Sequence, residues 1–278
     1  MAFQYLDRFS RLPKTASAVN DRLSVQDDWW MTDAERLAQT ALLADLRPDC
    51  AIEVGVYRAG SLSVLARHSQ KVYALDIDPQ CETQFAAQFP NVQFVTGDAK
   101  YTLPQVLEAI APAGEALSFV LIDADHSREG VRRDIESVLR FTPTRPLYVL
   151  MHDSFNPECR RGMKEAAWAA NPYVHLVELD FVPGRLVTDE EPDSYREMWC
   201  GFALAVLLPE RRTGPLTIHE NESRLFQAAL RQSIYRNQRW WNPAHLVREI
   251  RYRAKTLLKA HAPALYAALR QRLRPTTR

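Results

Sequence analysis

Two carboxylates and an imidazole stand together where an apolar stretch of the sequence ends. In the segment FVLIDADHSREG, the residues from Phe119 onward are apolar until Asp123, and Asp125 and His126 follow within three positions. A short apolar run of this kind is typical of a buried strand. Its end therefore carries groups that can bind a hard cation or move a proton, because carboxylates favour divalent cations and imidazole titrates near neutral pH.

A second pair of such groups follows the next apolar run along the chain. The segment PLYVLMHDS predicts a strand over residues 146–154 that carries His152 and Asp153 near its end. If the two strands are neighbours in a parallel sheet, Asp123, His152 and Asp153 meet at one edge of that sheet. Such a set predicts a divalent-cation site, for Mg²⁺ or Mn²⁺, and the imidazole favours Mn²⁺. Two alternatives stay open: His152 points aside, or Asp123 only faces an organic ligand.

The elements that must position these groups alternate between strand and helix. Helical patterns follow each of the apolar runs over 51–55, 71–78, 92–99, 117–125 and 146–154. Largely continuous apolar strands that alternate with helices predict a doubly wound, mostly parallel sheet covered on both faces. Two more strands, over 173–181 and 199–208, bring the predicted sheet to seven strands. An N-terminal helix that opens with a capping box of Thr32 and Glu35 precedes the first strand.

The distribution of charge separates the end of the chain from the rest. The net charge is +1, yet residues 231–278 hold twelve Lys and Arg against one acid, which leaves a charge of −10 for the remainder. We predict an N-terminal helical segment (1–48), a central α/β domain (49–208), a linker (209–215) and a basic helical C-terminal extension (216–278). The extension packs on the domain or on a second copy of the chain in a homo-oligomer such as a dimer, or lies on an anionic membrane surface. Nucleic acid is not the expected partner.

Composition argues against several classes of protein. The four cysteines form no CxxC pair, which disfavours both a disulfide framework and structural zinc. The N-terminus lacks the apolar core of a signal peptide, and no run approaches the roughly 18 apolar residues that a membrane span needs. We therefore expect a cytoplasmic protein, whose basic extension is the part able to contact the inner membrane surface.

The first predicted strand leads into a turn that suits a nucleotide-type ligand. In EVGVYRAGS, Gly55 permits close approach of a ligand to the backbone, and Gly60 opens a helix whose amides favour an anion. Asp76 ends the next strand at the distance where a carboxylate accepts ribose hydroxyls, and Asp98 follows the third strand. The alternatives are a plain tight turn and solvated acids at strand ends.

Taken in order, the motifs IEVGVYRAGS, YALDIDP, VTGDA, VLIDADHSREGV and MHDS resemble class I S-adenosylmethionine-dependent methyltransferases over roughly residues 33–208. The most similar subgroup holds the metal-dependent O-methyltransferases of macrolide sugars and catechols. The resemblance implies a Rossmann-like fold and a cofactor-binding domain over 49–208. It implies a cofactor site of Glu53, Gly55, Gly60 and Ser61 at the methionine end, Asp76 at the ribose, Asp98 and Ala99 near the adenine, and Asp123 facing the cofactor. The sequence departs from the family at Ala59, where glycine is common, and at His152, where a carboxylate is usual.

The resemblance also implies a reaction. The Asp-x-x-His spacing makes His126 the general base beside the metal and Asp123 its catalytic partner, because a cation and an imidazole together help a hydroxyl lose its proton. A surface histidine at a helix start is the alternative for His126, and Asp125 caps the following helix or supports His126. We expect O-methylation of a sugar, glycan or glycosylated metabolite, as in polysaccharide biosynthesis. An RNA methyltransferase that uses the basic tail and a non-catalytic scaffold remain open. Trp29, Trp30 and Tyr101 line the acceptor pocket or serve packing.

Overall fold

The computed structural model describes residues 30–110, 112–188 and 194–237, and the single position 262. Its ten strands are β1 (Cys50–Val54), β2 (Lys71–Asp76), β3 (Val92–Thr96), β4 (Leu117–Ile122), β5 (Leu147–His152), β6 (Val174–Val182), β7 (Arg185–Leu186), β8 (Met198–Trp199), β9 (Phe202–Leu207) and β10 (Ile218–His219). Its helices are α1 (Asp33–Leu46), α2 (Gly60–His68), α3 (Gln80–Phe85), α4 (Ala99–Ile110), α5 (Arg128–Val138), α6 (Pro157–Glu165) and α7 (Ser223–Gln232). Short 3₁₀ turns cover Trp168–Ala170 and Ile234–Asn237.

Eight of these strands form one sheet in the order β10-β6-β9-β5-β4-β1-β2-β3. Strands β1 to β5 run parallel, and β9 runs antiparallel between β5 and β6. The chain builds one side of the sheet from β1 to β3 and the other from β4 onward, so the direction of winding changes between β1 and β4. The predicted doubly wound, mostly parallel Rossmann-like sheet is confirmed, but the predicted count of seven strands is wrong. The eighth strand is β10, which pairs with β6 and is too short to have a sequence pattern.

Each face of the sheet is covered by its own apolar core. Every residue of β1, β4 and β5 is buried, which is the consequence of helices packed on both faces. Successive side chains of β4 alternate between the two cores: Val120 and Ile122 lie in one, and Phe119 and Leu121 lie in the other. The polar groups that follow these strands therefore emerge from a rigid support.

The predicted strand over 199–208 is interrupted near its start. Cys200 and Gly201 have φ angles of 66° and 86°, in the left-handed region, so β8 ends at Trp199 and β9 begins at Phe202. Strand β8 pairs with β7 instead, as a separate two-stranded ribbon. The break matters for the site, because it directs the amide of Cys200 to Asp153 after β5 and the amide of Gly201 to Glu35 in α1.

The segment that follows the predicted linker is anchored to the sheet edge. The guanidinium of Arg160 in α6, only 3% exposed, donates to both oxygens of Asp180 at 2.7 and 3.0 Å and to Glu220 at 3.1 Å. The same guanidinium lies 4.4 Å from the ring centre of Phe226 in α7. Strand β10 and helix α7 thus pack on the domain through a buried charge network.

Several expectations concern residues beyond these ranges. Trp29 and nearly all of the basic segment over 238–278 lie outside the described residues, whereas Trp30 and Tyr101 are exposed. Within the described ranges, none of the helices combines the length and the apolar character that a crossing of a membrane demands.

Candidate active site

The turn after β1 brings the ends of β1 and β4 into contact. Gly55 has φ 97°, and a Cβ added there would lie 2.3 Å from the carbonyl oxygen of Asp123. Any side chain at Gly55 would therefore push the two strand ends apart. Tyr57 and Ala59 also adopt left-handed backbone angles, at a cost of roughly 1–2 kcal/mol each. Ala59 thus has the backbone conformation that glycine adopts most easily.

Beneath this turn lies a carboxyl group that is completely buried. Glu53 accepts a hydrogen bond on Oε1 from the hydroxyl of Ser61, while its Oε2 has no hydrogen-bond partner. Burial is the main cause that raises the pKa of Glu53 to about 8. A buried oxygen without a hydrogen-bond partner, beside a glycine turn, is the arrangement expected of a site that binds a polar group of a ligand. The predicted cofactor residues Glu53 and Ser61 are therefore in contact with each other.

The carboxylates at the ends of β2 and β3, Asp76 and Asp98, accept hydrogen bonds from backbone amides. Asp76 accepts from the amides of Val56 and Tyr57 at 2.9 and 3.1 Å, and from that of Asp78 at 2.8 Å. Asp76 therefore fixes the shape of the turn that follows β1. Asp98 accepts from the amide of Lys100 at 2.8 Å, in the first turn of α4 that Ala99 begins. The roles of these residues toward ribose and adenine remain predictions.

The polar ends of β4 and β5 converge as the topology requires. His152 Nδ1 lies 2.9 Å from Oδ1 of Asp123 and 3.7 Å from Oδ1 of Asp153. Asp153 has φ 58° and accepts from the amide of Cys200 at 2.6 Å, so the break before β9 holds this carboxylate in place. The ring of Phe202 packs edge-on against His152 at 5.3 Å. The three residues predicted to bind a cation are thus brought together in a largely buried corner.

His126 completes the cluster from the loop before α5. Its Nε2 lies 3.1 Å from Oδ2 of Asp153 and 3.4 Å from Oδ1 of Asp123, while 34% of its side chain stays exposed. The ring of Trp199 packs edge-on against it at 5.7 Å. Asp125 does not cap α5, because Ser127 accepts from the helix amide of Gly130 and Asp125 instead accepts from the amide of Ser127. His126 is therefore the member of the cluster that both touches the carboxylates and faces solvent.

Glu35 of α1 reaches the same cluster, although the sequence indicated only a helix cap. The capping box with Thr32 is present, and it uses Oε2 of Glu35. The other oxygen, Oε1, accepts from the amide of Gly201 at 2.5 Å and lies 3.0 Å from Nε2 of His152. The imidazole N–H does not point straight at that oxygen, so this contact is a close ion pair and not a linear hydrogen bond. Full burial of an acid at a helix start is the sign of such a second role.

Opposite charges balance inside the cluster. Burial alone would raise the pKa of Asp123, but His152 and His126 outweigh it and hold the pKa at about 2. Burial alone would lower the pKa of His126, but Asp123 and Asp153 raise it to about 10. The pKa of His152 is raised for the same reason, and that of Asp153 is lowered. Both imidazoles are therefore protonated, and the neighbouring carboxylates stabilise their positive charge.

Two sets of side chains could hold a metal ion among the described residues. Ligand atoms of Asp123, His152 and Asp153 lie within 4.8 Å of one another, and so do those of Glu35, His152 and Cys200. Burial, and then Glu35, raises the pKa of Cys200 to about 12, so its thiol is a poor ligand. The first set fits a divalent cation, and its mixture of carboxylate and imidazole suits Mn²⁺ better than Mg²⁺.

Comparison with known proteins adds a family to this geometry. Residues 52–154 match the family described as "Methyltransferase domain". No curated protein matches the chain. Among solved structures, cofactor-bound Rv0187 from MTB is 20% identical over 76% of this chain and 97% of that one, with a TM-score of 0.47. An O-methyltransferase from Bacillus cereus in complex with SAH is 17% identical over 73% of this chain and 96% of that one, also with a TM-score of 0.47.

A third structure is the MycE methyltransferase of the mycinamycin pathway, in complex with Mg, SAH and mycinamycin VI. It is 15% identical over 72% of this chain and 56% of that one, with a TM-score of 0.46. None of these three structures is similar enough to support an argument about this chain. The family match covers the strands β1, β4 and β5, together with the turn at Gly55 and the cluster up to Asp153. The part of the chain that holds this geometry is thus similar to a methyltransferase domain.

Proposed function

We propose that this protein transfers the methyl group of S-adenosylmethionine to a hydroxyl of a sugar, glycan or glycosylated metabolite. The observation that carries the proposal is the place of His126. It contacts two carboxylates at the end of the parallel strands, yet a third of its side chain remains open to an acceptor. Hydroxyl groups are poor nucleophiles until they lose a proton, so a methyl acceptor of this class needs such a group close by.

The cofactor would lie along the ends of β1, β2 and β3. Gly55 lets the turn after β1 lie close against the end of β4 there, and Oε2 of Glu53 is buried without a hydrogen-bond partner. The cationic methionine end of the cofactor would complement the ionised Asp123, and the unpartnered oxygen of Glu53 would accept a hydrogen bond from it. Asp76 keeps a lone pair for a ribose hydroxyl on Oδ1, which accepts from the amide of Asp78, whereas Oδ2 already accepts from two amides.

The charge of His126 sets the condition for its role as base. In the cluster alone, Asp123 and Asp153 hold a proton on the imidazole, so His126 cannot take a second one at Nε2. A divalent cation bound by Asp123, His152 and Asp153 would supply positive charge beside these carboxylates and help to acidify the acceptor hydroxyl. With this positive charge beside the carboxylates, His126 would release the proton on Nε2 to solvent and could then take up, at the same atom, the proton that the acceptor hydroxyl loses.

The side of the cluster that faces solvent suits a carbohydrate. Trp199 packs edge-on against His126, and its indole N–H donates to Glu197 at 2.6 Å. This hydrogen bond fixes the indole, so a partly exposed aromatic ring lies beside the proposed base. An aromatic ring at this place suits a sugar, because sugars have apolar C–H surfaces that pack on aromatic rings.

The test measures methyl transfer from labelled S-adenosylmethionine to a panel of methyl glycosides, catechol and RNA, with EDTA or with added Mn²⁺. We expect label on a glycoside and an activity that falls at least tenfold in EDTA. His126→Gln should lower the rate by roughly 10²–10⁴-fold without changing cofactor affinity in calorimetry. His175→Gln is the matched control, since His175 lies on β6 away from the cluster and its Nε2 donates to the backbone carbonyl of Glu210.

Other outcomes would contradict the proposal in distinct ways. Label on catechol or RNA alone would refute the carbohydrate acceptor. A rate for His126→Gln equal to that of His175→Gln would refute the base. An unchanged rate in EDTA would remove the cation from the reaction.

A further inference from the structure

We infer that Glu35 is a positioning residue of the active site, supplied by an N-terminal helix that lies outside the segment matched by the methyltransferase family. Its carboxylate holds His152 at Nε2 and so directs Nδ1 toward Asp123 and Asp153. The inference rests on the proposed function, because it assigns a role to Glu35 in the proposed cation site.

The environment of Glu35 is the first observation. The side chain is completely buried, and an acid in that state needs several polar partners to offset its lost hydration. Oε2 receives the amide of Thr32 at 2.6 Å and its hydroxyl at 2.7 Å. Oε1 receives the amide of Gly201 at 2.5 Å and faces His152 at 3.0 Å. A capping box alone would use one end of this carboxylate and would not require the helix start to be buried.

The contacts of His152 are the second observation. The imidazole has a carboxylate at each nitrogen, with Asp123 2.9 Å from Nδ1 and Glu35 3.0 Å from Nε2. The edge of the Phe202 ring fills one side of it. If the ring turned over, neither nitrogen would keep its present partner. The negative charge of Glu35 is therefore what makes the present orientation, with Nδ1 facing the proposed cation site, the stable one.

The break before β9 links Glu35 to the rest of the cluster. The adjacent amides of Cys200 and Gly201 point at two different carboxylates, Asp153 and Glu35. Cys200 and Gly201 both have the left-handed backbone angles that this arrangement requires. Glu35 thus sets the position of His152 directly and that of Asp153 through two consecutive peptide groups.

The experiment compares Glu35→Gln with Thr32→Val. Glutamine keeps the shape of Glu35 but removes its charge, whereas valine at position 32 removes the capping hydroxyl and leaves Oε1 in place. In the metal-free protein, the imidazole ¹⁵N shifts of His152 report which nitrogens carry protons. Mn²⁺ affinity, measured by electron paramagnetic resonance with the ion alone, reports the site. We expect a protonated Nε2 in the wild type, changed ¹⁵N shifts in Glu35→Gln, and a 10–100-fold weaker Mn²⁺ affinity in that variant. Thr32→Val should change that affinity less than twofold.

Several results would overturn the inference. An unprotonated Nε2 of His152 in the wild-type protein would do so even if Glu35→Gln failed to fold. Unchanged ¹⁵N shifts in Glu35→Gln would also overturn the inference. Equal losses of Mn²⁺ affinity in Glu35→Gln and Thr32→Val would overturn it too, because Glu35 would then act only as a helix cap. If the wild-type protein bound no Mn²⁺, the proposed cation site would fail, while the ¹⁵N shifts would still decide whether Glu35 positions His152.

Discussion

Replacing Glu53 by glutamine tests whether the buried carboxyl beneath the glycine turn carries a proton. The side chain is fully buried, receives one hydrogen bond from Ser61, and has no partner for its second oxygen. Glutamine has nearly the same shape as a protonated glutamate and can accept the same hydrogen bond from Ser61. The substitution therefore removes the ability to ionise while it leaves the packing in place.

The expected effect follows from the difference in pKa between the folded and unfolded states. Burial raises the pKa of Glu53 from 4.5 to about 8, so between these values the folded protein holds a proton that the unfolded chain has lost. The stabilising effect of that proton is complete below pH 4.5 and is lost as the pH rises toward 8. Each pH unit in this window costs about 1.4 kcal/mol, which gives roughly 3 kcal/mol between pH 5.5 and 7.5.

Urea unfolding of the cofactor-free protein at pH 5.5, 6.5 and 7.5 measures this effect. Because glutamine mimics the protonated state, the free energy of unfolding of Glu53→Gln should exceed that of the wild type by about 1.4 kcal/mol at pH 5.5 and by roughly 4 kcal/mol at pH 7.5. Glu108→Gln, which removes an exposed carboxylate of α4, is the control and should leave the wild-type dependence on pH unchanged. Parallel curves for Glu53→Gln and the wild type would refute the reasoning.

Two further predictions concern the turn and the sheet edge. Gly55→Ala should abolish binding of S-adenosylmethionine in calorimetry, because the added Cβ would lie 2.3 Å from a carbonyl oxygen. Gly114 also has a positive φ, but its Cβ position is in open space. Gly114→Ala should therefore lower the free energy of urea unfolding by only about 1–2 kcal/mol and leave binding intact. Arg160→Met should lower the free energy of unfolding by about 3–5 kcal/mol because it leaves the buried carboxylate of Asp180 without its cation. Arg161→Met, at an exposed position next to it, should cost less than about 1 kcal/mol. Equal effects of the two substitutions in either pair would contradict the structure.

The sequence predicted the parallel part of the sheet because its strands are apolar along their whole length. That pattern needs helices on both faces, and it places the ends of β4 and β5 side by side. The meeting of Asp123, His152 and Asp153 could therefore be predicted without coordinates. The same reasoning failed for β10, because a strand of two residues has no pattern and forms only where β6 offers an unpaired edge.

Contacts between distant parts of the chain were beyond the reach of local patterns. Glu35 satisfied a capping box, so nothing in the sequence demanded a second partner, and Gly201 lies 166 positions further along the chain. Asp76 was predicted from its place at a strand end, but its bonds to the amides of Val56 and Tyr57 depend on the left-handed turn at Tyr57. For Glu35 and for Asp76 alike, a left-handed backbone conformation that could not be predicted from the sequence determines which amides the carboxylate contacts.

The small strand β10 also bears on how the protein behaves at high concentration. Strand β6 is nine residues long and almost entirely buried, and without β10 one of its edges would present unpaired amides and carbonyls beside apolar side chains. Such an edge is a template on which other chains can add strands and aggregate. The Arg160 network that anchors the segment after β10 therefore also keeps this edge interrupted at Val177 and Glu178, which shortens the template that it offers to other copies of the chain.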